Sequence, residues 1–145
     1  MTKPEARLRC QLIRDEVCDT IERFIDYYDS TLWNSKEECY IYNDSTKHVE
    51  AVHDNLCNTL HWANRCAVPG RARGTREEAI VDAKEYTHKT VLHLQSAYDV
   101  MTPVERKKRL VSYNPNTKRR CKGLNFIEAF NGIVAQIEWA REELF

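Results

Sequence analysis

The fold is decided by residues 4–29, PEARLRCQLIRDEVCDTIERFIDYYD. Apolar side chains recur in this segment at steps of three and four residues, which is the period of one face of an α-helix. The apolar face consists of Ile13, Val17, Ile21, Phe24, Ile25 and Tyr28. The segment therefore predicts a long amphipathic helix whose apolar face must be covered by other helices.

The same helical period continues along most of the chain. It predicts helices from residues 43–45 to about 69, from 75 to 101, and from 125 to the C-terminus. Residues 35–38 (SKEE) and 75–78 (TREE) match a capping box, in which Ser or Thr is followed by Glu three residues later. The first box predicts a short helix through residues 39–42, and the stretch TPVE at 102–105 predicts another.

The composition is typical of a helical protein. The chain has 145 residues with only four Gly and four Pro, which argues against a turn-rich β fold. Its 42% hydrophobic and 30% charged residues exclude general disorder and a membrane protein. We predict an all-α fold, an up-down bundle of four main helices with one or two short extra helices, forming a single helical domain over residues 1–145.

The N-terminal sequence and the cysteines indicate the compartment. Residues 1–10, MTKPEARLRC, contain no apolar segment, so we expect no signal peptide, and no apolar run is long enough to span a bilayer. Disulfides are rare in the cytoplasm, so we expect the six cysteines to be reduced. They are Cys10, Cys18, Cys39, Cys57, Cys66 and Cys121. These features predict a cytoplasmic protein that does not contact a membrane.

The charges balance overall but are strongly segregated. Residues 61–122 contain 14 basic and 6 acidic groups, a net charge of +8 (14 − 6), although the whole chain has 22 of each. The basic groups concentrate in segments 65–76 and 106–122, and each segment leads into a helix N-terminus, where free N–H groups favour anions. An up-down trace, in which the short helix and its tail descend along the bundle, places both segments at one basic pole.

This basic pole carries our first functional hypothesis, a non-catalytic protein that binds nucleic acid or another phosphate-rich ligand. Arginines would hold phosphates, and Tyr113 or Trp62 would stack on bases. The ligand-binding residues would be Arg71, Arg73, Arg76, Tyr113, Lys118, Arg119, Arg120 and Lys122. The same residues also suit a solvated surface, and residues 70–75, GRARGT, lack the Lys and spacing of a nucleotide P-loop. We expect no cofactor.

An acidic row on the first helix carries the second hypothesis, a protein-binding adaptor or inhibitor. The row consists of Asp15, Asp19, Glu22, Asp26 and Asp29, at steps of four, three, four and three residues. It is either a solvated face or a docking site for a basic protein surface, on which it would imitate a row of phosphates. A compact, charge-segregated chain without a catalytic motif resembles small viral or phage effectors in type, although no family is indicated.

A third hypothesis is a metal-dependent enzyme centred on His53 and His61. With Cys57 they stand at i, i+4 and i+8, a spacing that can chelate zinc if another helix supplies a further ligand. Three polar groups beside a core stripe have the same spacing, so we assign no metal. The pairs Glu50/His53 and Glu85/His88 resemble the Glu-x-x-His pairs of ferritin-like di-iron proteins, but their helical phase points away from the core. We identify no catalytic residue, and an enzyme stays open.

The third main helix carries a second, weaker apolar stripe. Val81, His88 and Leu92 lie opposite its main stripe, which suits another helix or a second subunit. The sequence therefore leaves a homodimer open.

Overall fold

The computed structural model describes residues 3–66, 76–110, 112–114, 119–121 and 123–144, with side chains described for residues 8, 11–12, 14–66, 81–110 and 123–142. The secondary structure is α1 (Lys3–Leu32), β1 (Trp33–Asn34), β2 (Cys39–Tyr40), a 3-10 helix (Asp44–Thr46), α2 (Lys47–Cys66), α3 (Arg76–Val100), α4 (Pro103–Lys107), β3 (Ser112–Asn114), β4 (Arg119–Cys121) and α5 (Phe126–Leu144). The predicted helical bundle is confirmed.

Helices α1, α2 and α3 pack side by side in alternating directions. The Cys18 thiol of α1 contacts Asn64 near the end of α2, whereas Asp29 near the end of α1 contacts His53 in the first half of α2. His48 at the start of α2 meets Glu105, which follows the end of α3. Each connection therefore reverses the chain direction, as the predicted up-down order requires.

Helix α5 completes the bundle and runs back along α1 and α3. Its first residue, Phe126, packs edge-on against Phe24 of α1 and also contacts Tyr98 of α3. Ala140 is buried in the same core, about 21 Å further along α5. Only about 12 Å of α1 remain beyond Phe24, so α5 covers the core only by running toward the start of α1.

The predicted apolar faces form the core. Fully buried side chains include Ile21 of α1, Leu56 of α2, Leu94 of α3 and Ile137 of α5. Between α2 and α3 the core also contains Thr59, Thr87 and Thr90, whose hydroxyls donate to carbonyls of their own helices at 2.7–2.9 Å. These internal hydrogen bonds make burial of the hydroxyls tolerable.

The helix predicted over residues 39–42 is wrong. Residues 33–40 form a β-hairpin in which Trp33 pairs with Tyr40 and Asn34 pairs with Cys39. The Asn34 side chain accepts from the backbone N–H groups of Lys36 and Glu37, and Glu38 has a φ of 50°. The left-handed conformation is incompatible with a helix at that position, so the capping-box sequence at 35–38 lies in a turn instead.

The stretch between α3 and α5 also differs from the predicted trace. The Thr102 capping box and Pro103 open α4 as predicted. Residues of α4 and the following turn then line a small cavity with Phe24 and Tyr28, at the end of the bundle where α1 ends. The β3–β4 hairpin begins and ends at that same end, because buried Gly123 lies directly against the Leu110 carbonyl. This stretch caps the bundle and does not descend along it.

Among the described residues, no helix combines the length and the apolar character that crossing a membrane requires.

Candidate functional site

The acidic row lies on the exposed side of α1. Asp15, Asp19, Glu22 and Asp26 are exposed, about 100–160° around the helix axis from the buried Ile21. Asp15 is neutralised by Arg14, whose Nη2 lies 2.7 Å from its carboxylate. Asp19, Glu22 and Asp26 pair with no cation among the residues whose side chains are described. The middle of the row is therefore accessible and net negative, although exposed Arg23 lies next to it, four residues after Asp19 and three before Asp26.

Exposed apolar residues continue both ends of this row. Leu8 and Leu12 are 56% and 58% exposed and share its side of α1. At the other end, Asp29 accepts a hydrogen bond from the Tyr40 hydroxyl at 3.1 Å. The row thus leads directly from two exposed leucines into the hairpin that follows α1.

Three exposed aromatic rings cluster on that hairpin. Trp33 and Tyr40 are cross-strand partners with ring centroids 4.9 Å apart and planes at 71°. Tyr42 lies two residues beyond Tyr40, with its ring 6.3 Å from that of Tyr40. The exposed fractions are 44%, 43% and 64% for Trp33, Tyr40 and Tyr42. We call these three residues the aromatic patch.

The local backbone holds the aromatic patch in place. The N–H of Ile41 donates to the carbonyl of Leu32 at 2.8 Å, which extends the strand pairing beyond Tyr40. The hydrogen bond to Asp29 raises the pKa of Tyr40, because only the protonated hydroxyl can donate it. Sequence analysis missed this patch because a helix over residues 39–42 would have separated the rings. The aromatic spacing, with Trp33 before a polar turn and Tyr40 after it, is the signal that favours a hairpin.

The structure describes only part of the predicted phosphate-binding set. Arg71, Arg73, Lys118 and Lys122 lie outside the described residues. Arg76 begins α3, and the backbone register pairs Tyr113 with Arg120 and Asn114 with Arg119 in the β3–β4 hairpin.

The two basic segments attach to opposite ends of α3. Arg76 is its first residue, whereas the β3–β4 hairpin joins the bundle beside Tyr98 and Phe126, about 33 Å away along the helix axis. The helix that follows the hairpin also starts at that far end. The two segments therefore do not share the single pole that the predicted trace gave them.

Several cations near the second basic segment serve internal contacts. Arg106 donates to the Tyr98 carbonyl at 2.7 Å and covers the Tyr98 ring. Lys108 reaches the Tyr27 hydroxyl at 2.7 Å, and Arg109 pairs with Glu128. These three side chains hold α4 and the adjoining turn against the bundle, so part of their positive charge is used in contacts within the protein.

Trp62 is also occupied by its own chain. Its ring stacks on Tyr86 at 5.6 Å, and the Lys89 ammonium lies 4.2 Å from its centroid, with Arg65 at 5.2 Å. A ring with these neighbours offers little free surface to a nucleic-acid base.

The structure brings together only part of the histidine and cysteine ridge. His53 lies 3.8–3.9 Å from Cys57 and 3.6 Å from Asp29 of α1. The His61 ring instead packs edge-on against Trp62 at 5.0 Å. Within the described part of the chain, no group of three or more His, Cys, Asp or Glu residues is arranged to hold a metal ion.

The half-buried cysteines are poor nucleophiles. Burial, with a further contribution from Glu22, raises the pKa of Cys18. Burial, followed by Asp54 and Asp29, raises the pKa of Cys57. Both side chains are therefore protonated thiols at neutral pH, whereas the reactive form of cysteine is the thiolate.

Among the described residues, Glu105 is the carboxylate whose pKa is most strongly perturbed, and its contacts are structural. It accepts from the Tyr28 hydroxyl at 2.5 Å and lies 2.6 Å from His48 Nε2. Burial raises the pKa of Tyr28, and the hydrogen bond to Glu105 raises it further. The adjacent cavity has a volume of about 20 Å³, which is room for one water molecule. Glu105 therefore joins α1, α2 and α4 without a space for a substrate beside it.

No protein-family model, curated protein or solved structure matches this sequence.

Proposed function

We propose that this protein is a non-catalytic binding module that docks a basic partner protein along the exposed side of α1. The observation that carries the proposal is the accessible, net negative row of Asp19, Glu22 and Asp26 between two exposed apolar ends, Leu8/Leu12 and the aromatic patch. This side of the molecule spans about 32 Å from Leu8 to Asp29. The acidic side chains there attract and orient the approaching partner, while the apolar groups at the two ends add buried contact area.

The net charge around this surface determines which charge a partner must carry. Residues 26–54 contain seven acidic and two basic groups, a net charge of −5 (2 − 7) with neutral histidines. Of the two lysines, Lys47 already pairs with Asp44 at 2.7 Å. A phosphate backbone or an anionic lipid surface would be repelled from this end of the molecule, whereas arginine and lysine side chains would be attracted.

A defined basic probe tests the proposal. An acetylated, amidated hexa-arginine peptide is titrated into the full-length protein at low ionic strength, and binding is followed by ¹H–¹⁵N NMR. We expect the triple variant Asp19→Asn/Glu22→Gln/Asp26→Asn to bind about tenfold more weakly, since each exposed pair contributes about 0.2–1 kcal/mol. The triple variant Glu85→Gln/Glu138→Gln/Glu142→Gln removes the same charge from other exposed faces and should bind like the wild type. Equal weakening in both variants would mean that net charge alone attracts the peptide.

A second candidate function is anion binding by the β3–β4 hairpin. It is supported by the strand register, which pairs Tyr113 with Arg120 and Asn114 with Arg119. One aromatic residue and two arginines therefore lie within the six strand residues of this hairpin. Nucleic acid or a phosphorylated ligand would be the partner. This function uses the opposite charge and a different element, so the two candidates are separable by mutation.

A further inference from the structure

The aromatic patch differs from three other aromatic rings of the described residues, those of Trp62, Tyr98 and Tyr27, each of which is covered by a cation of the same chain. Trp62 is covered by Lys89 and Arg65, and Tyr98 by Arg106. Tyr27 is likewise covered by Lys108, with the ammonium 4.4 Å from the ring centroid. In the part of the chain whose side chains are described, no Arg or Lys lies over Trp33, Tyr40 or Tyr42.

The geometry of the patch suits a cation from outside the molecule. Trp33 and Tyr40 form an edge-to-face pair at 71°, and Tyr42 adds a third, 64% exposed ring beside them. The Asp29 carboxylate is fixed at the rim by its hydrogen bond from Tyr40. A guanidinium or ammonium group is attracted by the face of each ring and by the carboxylate at the same time.

The acidic neighbours distinguish this patch from a surface for other ligands. Glu37 and Glu38 of the hairpin turn are exposed and add to the carboxylate of Asp29, whereas Asp44 already pairs with Lys47. Neutral ligands would gain nothing from these charges, and phosphates would be repelled by them. Trp and Tyr are also the residues that most often supply the binding energy of protein interfaces, frequently by pairing with Arg.

We infer that the aromatic patch is the anchor of the docking surface and receives an arginine or lysine side chain of the partner protein by cation–π contact with Trp33, Tyr40 and Tyr42. This inference rests on the proposed function and adds to it the point at which the partner is held. The acidic row steers and aligns a basic segment, and the patch holds one of its cationic side chains. The strand pairing keeps the rings in place before binding, which lowers the entropy lost on docking.

The test compares hexa-arginine with hexa-citrulline, which has nearly the same shape and no charge. We expect hexa-arginine to shift the Trp33 indole N–H resonance and the backbone resonances of Tyr40 and Tyr42, and hexa-citrulline to leave them in place. Trp33→Phe assigns the Trp33 indole signal among the three tryptophans. Equal shifts with both peptides would overturn the inference, because the contact would not require a cation.

Two substitutions of Tyr42 separate the contribution of its aromatic ring from the contributions of side-chain size and of the hydroxyl group. Tyr42→Leu removes the π face and should weaken hexa-arginine binding about 3- to 30-fold, whereas Tyr42→Phe keeps the ring and should bind like the wild type. Tyr42 is 64% exposed, so neither change threatens folding. Wild-type affinity of Tyr42→Leu overturns the inference.

The pattern across variants tells the two proposals apart. Loss of binding in the acidic-row triple variant, with unchanged binding in Tyr42→Leu, supports the proposed function and rejects the aromatic anchor. Loss in Tyr42→Leu, with unchanged binding in the triple variant, supports the anchor and rejects the row as the docking site. Absence of any hexa-arginine binding rejects both.

Discussion

Replacing Glu105 by glutamine tests how the end of the bundle that carries the aromatic patch is held together. One carboxylate there accepts from the Tyr28 hydroxyl at 2.5 Å and from the backbone N–H of Thr102 at 3.1 Å, and lies 2.6 Å from His48 Nε2. Burial alone would raise the pKa of Glu105, but the hydrogen bonds from Tyr28, Thr102 and His48 outweigh it and lower the pKa to about 2. The ionised form is therefore the one that the fold stabilises.

The pKa of Glu105 also sets the size of the effect and its pH range. A fall from the ordinary 4.5 to about 2 corresponds to about 3 kcal/mol of stability at neutral pH. The side chain is 24% exposed, and solvent screening reduces this value, so we expect Glu105→Gln to lower the free energy of unfolding by about 2 kcal/mol. Because the folded-state pKa is lowered, the contribution is present above pH 4.5 and is lost as the pH falls toward 2.

Thermal unfolding followed by circular dichroism at 222 nm measures this difference. At pH 7 we expect the Tm of Glu105→Gln to be about 4–8 °C below that of the wild type. By pH 3 the difference in free energy should shrink to less than half, because the unfolded wild-type protein then protonates this carboxyl while the folded protein still holds it ionised, so that unfolding takes up a proton. The control is Glu138→Gln on the exposed side of α5, which should change Tm by less than about 2 °C. The reasoning fails if both proteins unfold within 1 °C of each other at pH 7, or if the difference at pH 3 equals that at pH 7.

Two further predictions concern the β3–β4 hairpin. Gly123→Ala should lower the free energy of unfolding by about 2 kcal/mol, because the added methyl would overlap the Leu110 carbonyl; Gly132→Ala, with open space around it in α5, should stabilise by up to about 1 kcal/mol. Equal stabilities of the two variants in urea unfolding would contradict this packing. Arg119→Ala/Arg120→Ala should weaken binding of a dT20 oligonucleotide and reduce the slope of log K against log salt by about two, whereas the acidic-row triple variant should leave that slope unchanged. Wild-type binding by the arginine variant would remove both residues from the anion site.

The helices were predictable because their apolar residues follow the helical period strictly. Ile21 and Phe24 in α1 and Leu56 in α2 are buried where the stripes placed them, and the Thr102 capping box opens α4. Thr90 is buried on the α3 face where the helical period places it, whereas the burial of Thr59 was not predictable from hydropathy, since it depends on a hydroxyl bond back to its own helix. Periodicity thus identifies which side of a helix faces the core, but not every residue type that the core accepts.

Of the candidate site, the acidic row was predictable from the sequence and the aromatic patch was not. The reason is that residues 35–38 suit two different local structures. The acidic row follows from the same period as the core stripe, so its position on the exposed side of α1 was predictable. The sequence at 35–38 fits either a helix cap or a turn, and the Asn34 side chain stabilises the turn by accepting hydrogen bonds from two backbone N–H groups. That choice brings Trp33 and Tyr40 together, so the aromatic patch depends on one side chain that no helical pattern identifies.

The direction of α5 was unpredictable for a different reason. A segment of 25 residues between α3 and α5 is long enough either to descend along the bundle or to cap its end, and sequence spacing does not choose between the two. The contacts that decide are tertiary: Lys108 with Tyr27, Arg109 with Glu128, and Gly123 against Leu110. Lys108 and Arg109 therefore make internal contacts that hold this stretch against the bundle. Part of the positive charge that the predicted basic pole required is used in these contacts.

Helix α1 performs two separable tasks, and this separation makes the docking proposal testable. Its buried side, with Ile21 and Phe24, holds the bundle together, whereas Asp19 and Glu22 lie on the other side and contact no described neighbour through their carboxylates. Neutralising these carboxylates therefore removes charge without removing packing, so a loss of binding in a variant with an unchanged Tm can be assigned to the surface itself. The aromatic patch offers the same separation at Tyr42, because its ring is mostly exposed while the strand pairing that positions it is made by the backbone.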